Sequence, residues 1–182
     1  GEFYPFRDDG DGENQDGYDT VEWAAAQRWS NKRIGTIGGS YSGATQYRML
    51  ATQPPHLEAQ FVRQSSSDYY IEWVYRSGAF EHGFNISWVL KHASTNAAKL
   101  APAGMEDEVV TRLNKASDDY QKWLEHVPIS PLLPVADLQD WFVDWMDHPN
   151  QGEYWNEFSI VRSHDRVDVP VHHFGSWYDC FL

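Results

Sequence analysis

The sequence is poor in cysteine, in basic residues and in long apolar runs. Its single cysteine, Cys180, excludes an intrachain disulfide and a zinc site built on cysteines. The sequence has 14 lysines and arginines and 27 aspartates and glutamates, so the net charge is −13. This charge argues against nucleic acid and anionic membranes as partners, because both favour clustered positive charge. No stretch approaches the roughly 18 apolar residues that a membrane span needs.

The start of the chain also lacks the pattern of a signal peptide. Residues 1–5 show no basic segment followed by an apolar one, so the sequence predicts no signal peptide and leaves the compartment open. The acidic residues Asp9, Asp11 and Glu13 are wrongly spaced relative to glycine and a closing glutamate for a calcium loop, and we predict no metal site there.

Aromatic residues, in contrast, are abundant, with nine tryptophans, ten tyrosines and nine phenylalanines in 182 residues. Such a density is typical of a well-filled core or a roomy apolar pocket. It also fits platforms on which sugars stack, so a glycan-binding or glycan-active protein stays open from composition alone.

The sequence Gly38-Gly39-Ser40-Tyr41-Ser42-Gly43 is the most informative motif. An apolar stretch over residues 33–37 precedes it, and residues 44–53 follow with helical spacing. A glycine-flanked serine between a strand and a helix is the context of a nucleophile elbow. The usual pattern has glycine two residues after the serine, a place that Ser42 takes here. Considered alone, the motif therefore fits either a catalytic Ser40 or an ordinary glycine-rich turn.

The organisation of the chain predicts an α/β fold with a parallel sheet and an inserted helical cap. A helix near residues 18–29, a strand at 33–38, the helix after Ser40 and a strand at 57–62 follow one another, an order typical of parallel α/β sheets. Helical spacing then takes over, and a short apolar strand returns at 169–174. We predict core segments at residues 1–66 and 160–182 and a cap at 67–159.

Asp179 lies just after the last predicted strand and after the helical insertion. In α/β hydrolases the triad runs in the chain order serine, acid, histidine, with the acid on a loop past a strand. Asp179 has this position relative to Ser40, and there it would orient a histidine and stabilise the imidazolium. The alternative is a loop carboxylate that caps a helix.

Five short motifs follow one another along the chain: Gly1-Glu2-Phe3, Asp19-Thr20-Val21-Glu22-Trp23, Trp29-Ser30-Asn31, Gly38-Gly39-Ser40-Tyr41-Ser42-Gly43 and Gly175-Ser176-Trp177-Tyr178-Asp179. In this order they resemble the CocE/NonD hydrolases, which include cocaine-esterase-like enzymes, X-Pro dipeptidyl-peptidases (family S15) and α-amino-acid ester hydrolases. In this family the elbow is Gly-x-Ser-Tyr-x-Gly, so the position of Gly43 supports the resemblance. The cap residues Trp73, 78–80 and 83–85 are similar to the start of the family's cap.

The resemblance implies a serine hydrolase that cleaves acyl esters or amides without a metal or organic cofactor. Ser40 would be the nucleophile, Asp179 the acid and the backbone N–H of Tyr41 one oxyanion donor. Trp73, Trp88 and Phe181 match aromatic pocket walls, with plain packing as the alternative for all three. The expected partner is a small ester, amide or short peptide, and a homo-oligomer is left open.

Two parts of the family's machinery have no counterpart in the sequence. All eight histidines precede Asp179, and a tyrosine oxyanion donor would lie upstream of Gly1. We therefore expect an internal piece of a longer hydrolase, inactive by itself, with its histidine beyond this chain. The alternatives are an X-Pro dipeptidyl-peptidase of the same family, for which Asp68, Glu72 and Glu81 could bind a free amino terminus, and a non-catalytic binding relative.

Overall fold

The computed structural model describes residues 15–129 and 133–181. The chain divides into two compact units, Gly1–Ser77 with Gln151–Leu182 and Gly78–Asn150. The second unit lies within the predicted cap, whose boundaries at 67 and 159 stay a prediction. The motif Gly1-Glu2-Phe3 and the acidic residues Asp9, Asp11 and Glu13 lie outside the described residues.

The secondary structure alternates between strand and helix at both ends of the chain and is mostly helical between them. In chain order the elements are α1 (Asp16–Ala26), β1 (Ile34–Gly39), α2 (Tyr41–Leu50), β2 (Leu57–Arg63), a π-helical turn (Tyr70–Val74), β3 (Tyr75–Arg76), β4 (Ala79–Phe80), α3 (His82–Leu100), α4 (Glu106–Asp118), α5 (Tyr120–Leu124), α6 (Leu133–Ala136), α7 (Asp140–Asp147), α8 (Glu153–Asn156), a 3-10 helix (Val161–Arg166) and β5 (Val171–Phe174). The two-residue strands β3 and β4 were not expected, because nothing in the helical spacing of this region indicates them.

The first unit contains a parallel sheet in the order β1–β2–β5. Its register pairs Gly39 with Arg63, and Arg63 with Phe174. The carboxyl ends of all three strands therefore meet at one edge, where ligands bind in open α/β sheets. The predicted α/β fold class is confirmed.

The two faces of this sheet differ in cover. On one face an apolar core forms around Val21, Met49, Leu50, Leu57 and Ile160. Side chains on the other face, among them Ile37 at 80% and Phe174 at 49%, are exposed. Parallel sheets are normally covered on both faces, so only the α2 face is filled by the described part of this chain.

The second unit is helical, and part of its interior is an aromatic cluster. Helix α3 packs along α4 and also contacts α5 and α6. Phe142 and Trp145 of α7 are fully buried, and Trp88 of α3 lies against Trp141 and Trp145 with ring centroids 5.3 and 6.1 Å apart. Within the described ranges, no helix combines the length and the apolar character that crossing a bilayer requires.

Candidate active site

Ser40 occupies a strained backbone position between β1 and α2. Its φ of 55° and ψ of −124° lie where residues with a side chain are rarely found. Its N–H donates to the carbonyls of Arg63 at 3.0 Å and Gln64 at 3.1 Å, and its own carbonyl accepts from Gly43 at 2.9 Å and Ala44 at 3.1 Å. These four contacts hold the turn from both sides, and the serine itself is exposed.

The glycines around Ser40 are required by close approach. A Cβ on Gly38 would lie 2.7 Å from the Cβ of Ser42, and a Cβ on Gly43 would lie 2.6 Å from the Cβ of Ser65. Gly38 thus makes room for a side chain two residues after the serine. Gly43 lets α2 pack against the chain just past β2. This geometry explains why the second glycine of the motif comes one residue later than usual.

Behind the turn, the buried side chain of Gln46 joins strand and helix. Its Nε2 donates to the carbonyls of Gly38 at 3.3 Å, Ser42 at 3.0 Å and Phe61 at 3.4 Å, and its Oε1 accepts from the Thr36 hydroxyl at 2.7 Å. Only 4% of Gln46 is exposed. Hydrogen bonds made away from water are costly to lose, so Gln46 fixes the backbone on both sides of Ser40.

Asp179 lies in the loop that follows β5. Its N–H donates to the Ser176 carbonyl at 3.1 Å, while its Oδ1 accepts from the Phe181 N–H at 3.0 Å and from the Cys180 thiol at 3.5 Å. Burial, and then the adjacent Asp179, raise the pKa of that thiol. Across the described residues, no histidine is hydrogen-bonded to the Asp179 carboxylate.

A cavity of about 150 Å³ opens at the carboxyl edge of the sheet beside Asp179. Tyr47 and His173 form one wall, with the Tyr47 hydroxyl 2.8 Å from Nδ1 of His173 and their rings stacked at 5.7 Å. Burial, and then the negative charge of Glu72, raise the pKa of Tyr47. A second cavity of about 270 Å³ is also lined by Tyr47 and His173. Other residues around the first cavity are Val62, Gln64, Ser65, Phe174, Gly175, Ser176 and Phe181.

The sheet brings the predicted nucleophile and acid to one edge. Ser40 follows β1, Asp179 lies in the loop after β5, and the end of β2 lies between these two strands. Tyr41 begins α2, so its N–H belongs to the first turn, where amides point toward the helix N-terminus. The sequence places both residues correctly at strand ends, because the order of strand, turn and helix is local.

The three predicted pocket residues have different surroundings. Phe181 lines the first cavity, and its ring contacts that of Trp73 at 5.1 Å. Trp73 is 3% exposed and also contacts Tyr69. Trp88 belongs to the second unit, where it stacks on His92 at 5.4 Å. Their role as pocket walls stays a prediction.

Sequence reasoning missed Gln46, Tyr47 and Arg76. The sequence indicates Gln46 only through a polar residue at a position of α2 that faces the sheet. Nothing in the neighbouring sequence indicates that Arg76 reaches the carbonyl of Cys180, which is 104 positions away.

The described residues contain no group of three or more histidine, cysteine, aspartate or glutamate side chains arranged to hold a metal ion.

A parallel sheet with a strained, glycine-flanked serine after one strand and a carboxylate loop after another defines the α/β-hydrolase class of fold. The chain belongs to the X-Pro dipeptidyl-peptidase family (S15), whose family model matches residues 1–182. The resemblance to CocE/NonD hydrolases drawn from the motifs is thereby confirmed.

Known relatives agree with this assignment. The chain is 26% identical over 185 residues to a cocaine esterase of Rhodococcus sp. (strain MB1 Bresler), a match that covers 100% of the chain and 32% of that protein. A CocE/NonD family hydrolase from Staphylococcus aureus aligns with TM-score 0.58 at 22% identity, covering 93% of this chain and 23% of that one. An aminopeptidase from a marine sediment Thaumarchaeota archaeon aligns with TM-score 0.55 at 18% identity, over 94% and 29% of the two chains.

These structural likenesses show the fold alone. The chain spans about a third of the length of the curated relative that it matches.

Proposed function

We propose that this chain supplies the nucleophile and the acid of a serine hydrolase that cleaves acyl esters or amides through an acyl-enzyme. The observation that carries the proposal is the positive φ of Ser40, held by four backbone hydrogen bonds at the carboxyl end of a parallel strand. Strained backbone of this kind persists where the surroundings enforce it, and it is concentrated at active sites.

In the proposed reaction, Ser40 Oγ attacks the carbonyl carbon of the substrate and gives its proton to a histidine. The carbonyl oxygen becomes an oxyanion, for which the N–H of Tyr41 is one donor, worth about 3 kcal/mol. Collapse of the tetrahedral intermediate expels the alcohol or amine, which takes the proton from the histidine. Water then releases the acyl group by the same steps, so the route calls for no metal or organic cofactor.

Asp179 has the role of orienting that histidine, which we place outside this chain. Its carboxylate already accepts the Phe181 N–H and the Cys180 thiol. A carboxylate oxygen has room for further donors, and the adjoining cavity leaves space beside it. A histidine N–H that reached this carboxylate would complete the triad.

The preferred substrates are acyl esters, with an apolar or aromatic acyl group against Phe181 in the first cavity. An X-Pro dipeptidyl-peptidase would need carboxylates for the substrate's amino terminus. Two of the three candidates are occupied locally: Glu72 accepts the Ser66 hydroxyl and the Ser67 N–H, both at 2.8 Å, and Asp68 accepts the N–H groups of Tyr70 and Ile71. These contacts favour the ester substrates.

Initial rates of the full-length protein on p-nitrophenyl acyl esters and on Gly-Pro-p-nitroanilide test the proposal. We expect Ser40→Ala to lower kcat about a millionfold and Asp179→Asn about 10⁴-fold. Ser42→Ala is the matched control and should retain activity, because Ser42 is exposed and alanine retains the Cβ atom. A wild type inactive on both substrates would favour a non-catalytic relative. A strong preference for the dipeptide substrate would overturn the ester assignment.

A further inference from the structure

The acid loop extends from the sheet with little support from its own residues. Trp177 and Tyr178, the two residues before Asp179, are 86% and 99% exposed. The hydrogen bonds within the loop span only one to three residues, such as Asp179 N–H to the Ser176 carbonyl. Bonds of this range shape a turn but do not fix its place on the protein. A triad acid must be held in place, because a misplacement of 1 Å can cost about 100-fold in rate.

Arg76 joins this loop to the body of the first unit. Its guanidinium donates from one nitrogen, Nη2, to the carbonyl of Cys180 and to the carbonyl of Glu72 at 3.3 Å. Glu72 lies in the π-helical turn Tyr70–Val74, and Arg76 follows that turn in β3. The Cys180 carbonyl belongs to the peptide between Cys180 and Phe181, so the bond holds the chain one residue after the acid.

A ring contact joins the same two segments. Trp73 of the π-helical turn lies against Phe181, the second residue after the acid, with ring centroids 5.1 Å apart. The Phe181 N–H in turn donates to Oδ1 of Asp179 at 3.0 Å. The chain after Asp179 is thus held at consecutive residues, by Arg76 at Cys180 and by Trp73 at Phe181.

We propose that Arg76 is a positioning residue that holds the Asp179 loop, through the Cys180 carbonyl, in the orientation that the triad requires. This inference rests on the proposed role of Asp179 as the acid. Arg76 itself is exposed and donates to backbone carbonyls. Its loss should therefore act on the rate of the chemical step more than on the stability of the fold or on substrate binding.

The test compares Arg76→Ala, Arg76→Lys and Arg33→Ala in the full-length protein. Arg33 is the matched control, because it is an exposed arginine paired with Glu58 at 3.2 Å at the other end of β1. We expect Arg76→Ala to lower kcat between about 10- and 100-fold and to change KM by less than about threefold. Arg76→Lys should recover most of the activity, because its ammonium can donate to the same carbonyl. Guanidinium at millimolar concentration should raise the rate of Arg76→Ala and not that of Arg33→Ala.

A double-variant cycle separates this inference from the proposed function. If Arg76 acts through Asp179, Arg76→Ala should cost nothing further in the Asp179→Asn background, since groups that act as a unit are not additive. If the losses of kcat in the two single variants add in the double variant, the positioning role is overturned. It is also overturned if Arg76→Ala has the kcat of the wild type while Asp179→Asn is inactive. Full activity in Asp179→Asn would instead refute the proposed function itself. Equal melting temperatures of Arg76→Ala and wild type are expected, and a large drop would assign Arg76 to folding.

Discussion

Gly43→Ala provides a sharp test of the geometry around Ser40. The new Cβ would lie 2.6 Å from the Cβ of Ser65, 3.0 Å from its Oγ and 3.1 Å from Cγ1 of Val62. The Ser65 Cβ is bonded directly to the backbone, so it cannot move aside as the tip of a long side chain could. The substitution must therefore push α2 away from the end of β2, and it must shift Ser40 and Tyr41 with it.

The expected magnitude is the difference between two effects. Overpacking of a tightly packed site costs about 1–3 kcal/mol. Replacing glycine by alanine in a helix returns up to about 1 kcal/mol. Because all three contacts are short, we place the overpacking cost in the upper half of its range, which leaves a net destabilisation of about 1–2 kcal/mol. A displaced oxyanion donor would add a loss in kcat of up to about 100-fold.

Denaturant unfolding of the full-length protein, together with ester hydrolysis, would measure both effects. Ser65→Gly removes the two closest atoms, so the double variant Gly43→Ala with Ser65→Gly should lose less stability than the sum of the singles by about 1 kcal/mol. Gly35→Ala is the matched control, because its Cβ would meet only the Ala59 carbonyl, at 3.7 Å. Additive losses, or a Gly43→Ala variant as stable and active as Gly35→Ala, would refute the steric explanation.

Two further predictions concern a buried glutamine and a half-buried histidine. Gln46→Met keeps the side-chain volume but removes the donor to the carbonyls of Gly38 and Ser42. We therefore expect a loss of roughly 2–4 kcal/mol in the free energy of unfolding. A loss below about 0.5 kcal/mol would contradict the role given to Gln46. Burial lowers the pKa of His92 from its ordinary 6.5, although the bond to Gln139 opposes the shift. The unfolded chain therefore takes up a proton that the folded site resists, and stability should fall as the pH drops below 6.5. The fall should be smaller in His92→Gln, and equal pH dependence in the two proteins would contradict the assignment.

The parts of the fold and site that the sequence predicts are those encoded by neighbouring residues. The strand before Ser40, the helix after it and the strand before Asp179 each depend on patterns within about ten residues, and all three are present in the structure. Because parallel strands end at the same edge, their order alone indicates that Ser40 and Asp179 lie at one edge of the sheet.

The parts that the sequence did not predict depend on contacts between distant residues. A side chain at position 43 is excluded by Ser65, which comes two residues after β2 ends. The bond from Arg76 to Cys180 spans 104 positions. The spacing of Phe84, Trp88 and His92 predicts a helix but not the stacking of Trp88 against Trp141 and Trp145 of α7. Periodicity identifies which face of an element is buried, and it does not identify the partner.

The most direct test of Ser40 as the nucleophile is covalent labelling of the full-length protein with a fluorophosphonate, followed by mass spectrometry of its peptides. We expect one labelled peptide, modified at Ser40, and no labelling in Ser40→Ala, while Ser42→Ala is labelled as the wild type is. Labelling at another residue, or equal labelling of Ser40→Ala and the wild type, would contradict the role of Ser40 as the nucleophile.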